Sequence, residues 1–288
     1  MQKLFITGAS GNVGISVLKA LHTIKHQLSI VAGVQNIEKG QFALSNFDTQ
    51  LILFDFTNIS TYKNALAGID ILFLLRPPQI SDTEKYFKPL IKVCVDVGVK
   101  HIVFLSVQGV QKSKMIPHYK IEKLIVDSNI NYTFLRPAYF MQNFLTSLNK
   151  DLVKNKIIYL PAGNAKFTIV DVVDVGNVAA FVLTNINLHI NKKYELTNNE
   201  KLTFAEMAKI LSIKLNVYIH YKSPSILSFF VKKKIEKMPT MLVLVMIMLH
   251  FLPRFRKEPN TTNCINEITN SVPNSFEKFI ELNKMKLV

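Results

Sequence analysis

The chain has 288 residues, 49% of them apolar, which is enough for one large domain or a nucleotide-sized domain with a small cap and excludes a disordered or fibrous chain. Two cysteines, Cys94 and Cys264, exclude a disulfide framework, and no leader-like run precedes the first short apolar stretch, so a cytoplasmic protein is expected. The formal charge of +15 comes mainly from scattered lysines, with arginine at 76, 136, 254 and 256, and direct nucleic-acid binding is not expected.

Apolar runs of strand length fall at 3–7, 28–34, 50–54, 70–75, 100–106 and 132–136. Helical patterns lie between and after them at 12–26, 60–67, 83–97, 115–127 and 138–149. Continuous apolar strands alternating with helices predict a parallel sheet covered on both faces. Right-handed crossovers make it an α/β, doubly wound Rossmann domain over residues 1–152. Beyond it the pattern loosens. Strands are predicted at 156–160, 167–170 and 193–196, and helices at 173–185 and 203–211. The last opens on a capping box, Thr203 with Glu206. Residues 153–288 read as a mixed, mostly helical region that caps a substrate, with about 165–197 completing the Rossmann sheet.

The apolar run 240–252 is bracketed by Pro239 and Pro253. As a helix it would span about 20 Å, short of a hydrocarbon core of roughly 30 Å. It reads as a buried helix. Attachment to a membrane surface beside Lys232, Lys233, Lys234 and Lys237 is the lesser alternative.

The first strand runs directly into Gly8-Ala9-Ser10-Gly11-Asn12-Val13-Gly14, which opens a helix. Gly8 permits a sharp exit, Gly11 lets the backbone approach a diphosphate, and Gly14 lets the helix pack closely on the sheet. The helix start then presents free N–H groups and the positive end of its dipole. This is the arrangement of a dinucleotide site. The second strand ends in Gly33-Val34-Gln35-Asn36, with no acidic residue to bind the ribose hydroxyls of NAD. The missing carboxylate makes NADP the expected dinucleotide, with NAD left open; Lys39 reads first as a solvated surface lysine and second as a partner for a 2′-phosphate. Asp55, after the third strand, either accepts from the adenine amino group or makes an Asx turn.

The GxxGxxG spacing resembles extended and atypical short-chain dehydrogenase/reductases. Segments 6–14, 70–78, 101–109, 118–128, 132–143 (YTFLRPAYFMQN), 171–180 (DVVDVGNVAA) and 194–210 resemble the NmrA-like branch, with a weaker echo at 272–276. The likeness is dense to about residue 211 and poor over 222–262. It implies that Leu75, Arg76 and Pro77 lie along the cofactor's ribose and diphosphate. It also places Ser106 at the nicotinamide ribose, with Pro137, Ala138, Tyr139 and Phe140 lining the nicotinamide. Arg76 replaces a usually small residue and either meets a phosphate or points to solvent.

Tyr119 and Lys123 form the YxxxK pattern of the wider superfamily. At i and i+4 they share a helix face, so the ammonium can lower the phenol's pKa while also gripping the ribose. In the NmrA-like branch the tyrosine is often lost and a histidine recurs where His118 stands, so Tyr119 and His118 are both candidate proton donors. Val107 and Gln108 occupy the usual place of a catalytic serine. Two functions follow. One is an NAD(P)H-dependent reductase of a small quinone, carbonyl or conjugated acceptor; the other is a non-enzymatic NADP(H)-sensing regulator acting through a protein partner. Monomer and homodimer are both open.

Overall fold

The computed structural model describes residues Met1 to Val288. The chain begins β1 (Gln2–Ile6), α1 (Asn12–Thr23), β2 (Leu28–Val34), α2 (Ile37–Ala43), β3 (Gln50–Leu53), α3 (Ser60–Leu66), β4 (Ile71–Leu74), α4 (Lys88–Asp96), β5 (His101–Leu105), α5 (Pro117–Asp127) and β6 (Asn131–Pro137). It continues β7 (Tyr139–Phe140), α6 (Asn149–Asn155), β8 (Ile157–Tyr159), β9 (Phe167–Val170), α7 (Val172–Thr184), β10 (Lys192–Leu196), β11 (Lys201–Leu202), α8 (Phe204–Leu215) and β12 (His220–Lys222). The helices α9 (Ile226–Ile235), α10 (Thr240–Phe251), α11 (Cys264–Thr269), α12 (Phe276–Leu282) and α13 (Lys284–Leu287) complete it.

These elements form two compact units. The first comprises Met1–Pro137, Val172–Leu196 and Cys264–Ser271; the second comprises Ala138–Asp171, Thr197–Asn263 and Val272–Val288. The boundary read at residue 152 therefore falls inside the second unit, because the chain leaves the first at Pro137.

The first unit is a seven-stranded sheet ordered β10-β6-β5-β4-β1-β2-β3. Every neighbouring pair is parallel. Strands covered on both faces are apolar at every position, and Ile71–Leu74 is buried throughout. On one face Phe5, Phe54, Phe56, Tyr62, Phe87 and Phe104 form an aromatic core. The Tyr62 hydroxyl is satisfied by donating to Phe56 O at 2.8 Å. α1 packs along α7, where Ser16 Oγ donates to Val172 O at 2.9 Å. α2 was not foreseen. It is short, and Asn36 caps it by accepting from Lys39 N at 2.8 Å.

The second unit holds a three-stranded sheet, β11-β9-β7, and a parallel pair, β12-β8, among helices. Phe144, Phe167, Phe204, Phe229, Phe276 and Phe279 centre its core. The capping box of α8 forms as expected: Glu206 N donates to Thr203 Oγ1 at 3.2 Å, and Thr203 N donates to Glu206 Oε2 at 2.7 Å.

Two expectations need correction here. Residues 138–149 do not form a helix. Tyr139 and Phe140 pair with Ile169 and Val170, and a 3₁₀ turn, Met141–Leu145, follows. Met141 and Phe144 are buried at an i, i+3 spacing that a 3₁₀ turn shares with an α-helix, which explains the misreading. The run at 240–252 does form a helix but is not buried: within α10 only Val243, Met246 and His250 are. No helix is long and apolar enough to cross a membrane.

Candidate functional site

The candidate site lies at the carboxyl ends of β1, β4 and β5, where the strand order reverses about β1 and β4. In open parallel sheets this switch point leaves a crevice that binds ligands. Thr7 ties its two walls together. Its Oγ1 accepts from Leu75 N at 2.7 Å and donates to Leu75 O at 3.1 Å. The sequence reading did not single out Thr7, although a β-branched hydroxyl closing the first strand is a visible signal.

The glycine loop follows. Gly8 has φ +59°, a region that an L side chain enters at a cost, and its carbonyl accepts from Gly11 N at 3.0 Å. A Cβ on Gly14 would lie 2.5 Å from Gly8 O and 2.6 Å from Ala9 Cα, so α1 can pack against the loop only through glycine. Gly11 occupies the N-cap position and no side chain caps the helix. Its first N–H groups thus lack intrahelical acceptors, beside exposed Ser10, Gly11 and Asn12, while Val13 is half-buried.

Ser106 follows β5 and is 5% exposed. Its N–H donates to Leu135 O at 2.7 Å, but its buried Oγ has no hydrogen-bond partner. An unsatisfied buried hydroxyl costs about 1–3 kcal/mol, so a polar group supplied by a ligand is its natural complement. The loop after β5 is held from behind. Gly109 N and Gln111 Nε2 donate to Glu195 Oε1 at 3.4 and 3.2 Å. Arg136 forms a buried two-pronged pair with Glu122, with Nη2–Oε2 2.6 Å and Nε–Oε1 3.0 Å. Neither the Arg136–Glu122 pairing nor the part played by Glu195 could be read from the sequence.

Arg76 does not point freely to solvent. Its Nη1 donates to the carbonyls of Pro77, Pro78 and Ile80 at 3.1, 3.1 and 2.9 Å, which curls the loop after β4 around its own guanidinium. Its Nε donates to His118 Nε2 at 3.4 Å, and the His118 ring lies against Phe104, with centroids 6.1 Å apart. Burial first, and the Arg76 charge second, push His118 down to about 3. His118 is therefore a neutral imidazole with Nε2 accepting, which is a poor acid at neutral pH.

Tyr119 is half-buried near the start of α5. Lys123, one turn on, is exposed, and its Nζ pairs with Asp127 Oδ2 at 2.8 Å. The inward residues of this helix are Ile121, Glu122 and Ile125. The Lys123 ammonium thus interacts with Asp127 as well as with Tyr119. At the other end of the crevice Asp55 Oδ1 accepts from Thr57 N, Thr57 Oγ1 and Gln35 Nε2 at 2.8, 2.9 and 3.2 Å. Partial burial raises this carboxyl, but the bonds from Thr57 and Gln35 outweigh it and hold it below its ordinary value. The Asx turn is formed, and it engages Oδ1. Lys39 is exposed.

Pro137 ends β6 and its carbonyl accepts from Gln108 N at 2.9 Å. Ala138, Tyr139 and Phe140 belong to the second unit. There His250 Nδ1 donates to Met246 O at 2.6 Å, so Nε2 accepts from the Tyr139 hydroxyl at 3.2 Å. Burial raises the Tyr139 phenol and lowers His250 to about 4. His250 was not read from the sequence, because nothing local marks a partner 111 residues away.

A parallel sheet with this switch point and glycine loop defines a Rossmann-type nucleotide-binding fold. The chain belongs to the NmrA-like family, whose model matches residues 1–282. It is 26% identical over 282 residues to the prestalk A differentiation protein A of Dictyostelium discoideum, covering 96% of this chain and 90% of that one. To quinone oxidoreductase 2 of Escherichia coli it is 27% identical over 237 residues, covering 81% and 82%. The crystal structure of a Citrobacter triphenylmethane reductase complexed with NADP(H) shares the fold, with a TM-score of 0.83 at 24% identity, covering 97% and 99%.

Proposed function

We propose that this protein is an NAD(P)H-dependent reductase of a small quinone, carbonyl or other conjugated acceptor, with NADP the preferred dinucleotide. The observation that carries the reading is the orphaned, buried Ser106 hydroxyl after β5, on the same carboxyl edge of the parallel sheet as the glycine loop after β1. The residues present fit a dinucleotide. Gly8, Ala9, Ser10, Gly11, Asn12, Val13 and Gly14 would hold its diphosphate through backbone N–H groups, and Ser106 would meet the nicotinamide ribose. Leu75, Arg76 and Pro77 would form the wall along it, and Asp55 and Gln35 would flank the adenosine. An edge at Gln35 and Asn36 without a carboxylate, beside exposed Lys39, supports NADP over NAD.

When bound, the dinucleotide supplies the hydride. The protein's own work is to orient and to provide a proton. Arg76 holds the loop after β4 by its three carbonyl contacts, and neutral His118 fixes the Arg76 Nε. Pro137, Ala138, Tyr139 and Phe140 are assigned to the acceptor and nicotinamide side. The Tyr119 hydroxyl is assigned the proton for the acceptor oxygen, with bulk water replenishing it, and Lys123 a supporting role through its charge. The likeness to an E. coli quinone oxidoreductase and a Citrobacter triphenylmethane reductase supports the reductase class.

The test is oxidation of NADPH by pure protein against a panel of quinones and conjugated ketones, with NADPH and NADP⁺ binding measured in parallel. Turnover with at least one acceptor is expected. A second reading, a dinucleotide-binding regulator, draws on Lys123 being engaged by Asp127 and on the differentiation named in the Dictyostelium relative. Tight binding of both redox forms without turnover would select it.

A further inference from the structure

We propose that α9, α10 and the turn after them form a surface that seats on an anionic lipid bilayer, lying within its headgroup layer. The buried side of α10 is narrow: Val243, Met246 and His250. Opposite it Met241, Val245, Met248 and Leu252 follow the i, i+4, i+7, i+11 spacing of one helical stripe and are 68%, 36%, 41% and 39% exposed. Leu244 and Leu249 flank them and are also exposed. On α9, which packs against α10, Leu227, Val231 and Ile235 make a second exposed stripe along a shallow groove of about 570 Å³. Contiguous apolar surface of this kind on a folded chain marks something that covers it.

Charge identifies the cover. Between Lys237 and Lys257 the sequence contains no acidic residue. Lys234 and Lys237 stand exposed before α10, and Arg254, Arg256 and Lys257 stand exposed after it, around an exposed Phe255. Lys232 and Lys233 are not part of this rim. Both pair with buried Asp151, at 3.0 and 2.6 Å, and with Glu236; Lys233 is buried and Lys232 is half-buried in the groove lining beside Glu236, so neither adds unpaired charge to the rim. A second copy docking by two-fold symmetry would bring cationic ends together in either orientation, on a chain already at +15. An anionic bilayer accepts both features: the methionines, leucines and Phe255 enter the acyl boundary while the lysines and arginines meet lipid phosphates.

The experiment is co-sedimentation of the full chain with vesicles of phosphatidylcholine alone or with about a third phosphatidylserine. The expected result is pelleting that is at least about tenfold stronger on the anionic vesicles and declines with salt. A Val245→Glu/Met248→Glu variant should lose at least about tenfold of that binding. Its melting temperature and NADPH affinity should match wild type, since both positions face water. No pelleting, or equal pelleting on both lipids, overturns the proposal. A concentration-dependent dimer that the same variant dissolves also overturns it, and assigns the surface to a second copy.

Discussion

Replacing Ser106 by alanine should move stability and affinity in opposite directions. The hydroxyl is buried, its residue is 5% exposed, and no protein group bonds to it. In the free protein it carries a desolvation penalty of about 1–3 kcal/mol with nothing to offset it. Ser106→Ala keeps the Cβ and the backbone bond to Leu135 O, so it removes the penalty and leaves only a hydroxyl-sized gap. The free protein should therefore melt about 2 °C or more higher, given roughly 2–4 °C per kcal/mol for chains near this size. The complex loses the bond that satisfied the hydroxyl, so NADPH affinity should fall about tenfold, equivalent to about 1.4 kcal/mol. Differential scanning calorimetry of the free protein and titration calorimetry with NADPH measure the two quantities on the same samples. A lower melting temperature together with an unchanged Kd would refute the reasoning, because the hydroxyl would then serve the fold and not a ligand.

Gly11→Asp should weaken dinucleotide binding by more than about a hundredfold, since even a Cβ there meets Gly8 O at 3.2 Å and a carboxylate would face the diphosphate; an unaltered Kd in a variant with wild-type circular dichroism would remove the loop from the site. Tyr119→Phe should cut kcat about tenfold or more and leave the NADPH Kd unchanged, whereas Lys123→Ala, at an exposed ion pair, should shift that Kd by less than about threefold. Full activity in the phenylalanine variant would transfer the proton to water. Stability should be pH-dependent through His101, His118 and His250, which burial above all lowers to about 4, 3 and 4. Unfolded histidine titrates near 6.5, so this stability is present above that pH and is lost as pH falls towards 4, by up to about 1.4 kcal/mol per unit for each group. Melting temperatures taken from pH 7.5 down to 5 should decline below 6.5, less steeply in His250→Asn; a flat profile would show that these rings protonate in place.

The Rossmann strands and the glycine loop were legible because both are written locally. A strand covered on both faces must be apolar throughout, and a phosphate loop needs glycine at fixed steps. α2 escaped because its pattern is short and its cap, Asn36, reads equally as loop. The 139–145 segment was misread because burial at i and i+3 does not separate an α-helix from a 3₁₀ turn. The candidate site was legible as a list of residues and less so as a set of partners. Arg76 on His118, Glu195 behind the β5 loop and Tyr139 on His250 join residues 42, 86 and 111 positions apart. Lys123 shows the converse: its spacing from Tyr119 fits a catalytic helix face, but Asp127 at i+4 holds it more directly. Exposure of α10 was illegible for a related reason, since a helix apolar on all sides looks buried whether or not anything covers it.

The return of α7 and β10 to the first unit constrains how this protein is made. While residues 138–171 leave the ribosome, β6 is still a bare sheet margin and α1 has no helix to lie against. The nucleotide-binding sheet is finished only when β10 emerges, after part of the other unit has been synthesised. A fragment cut at residue 152 would carry every glycine of the loop and still expose a sticky strand and half of a helix pair. Expression of the amino-terminal piece alone should therefore give aggregates, and splitting this molecule into workable halves would require permuting the chain and not merely shortening it.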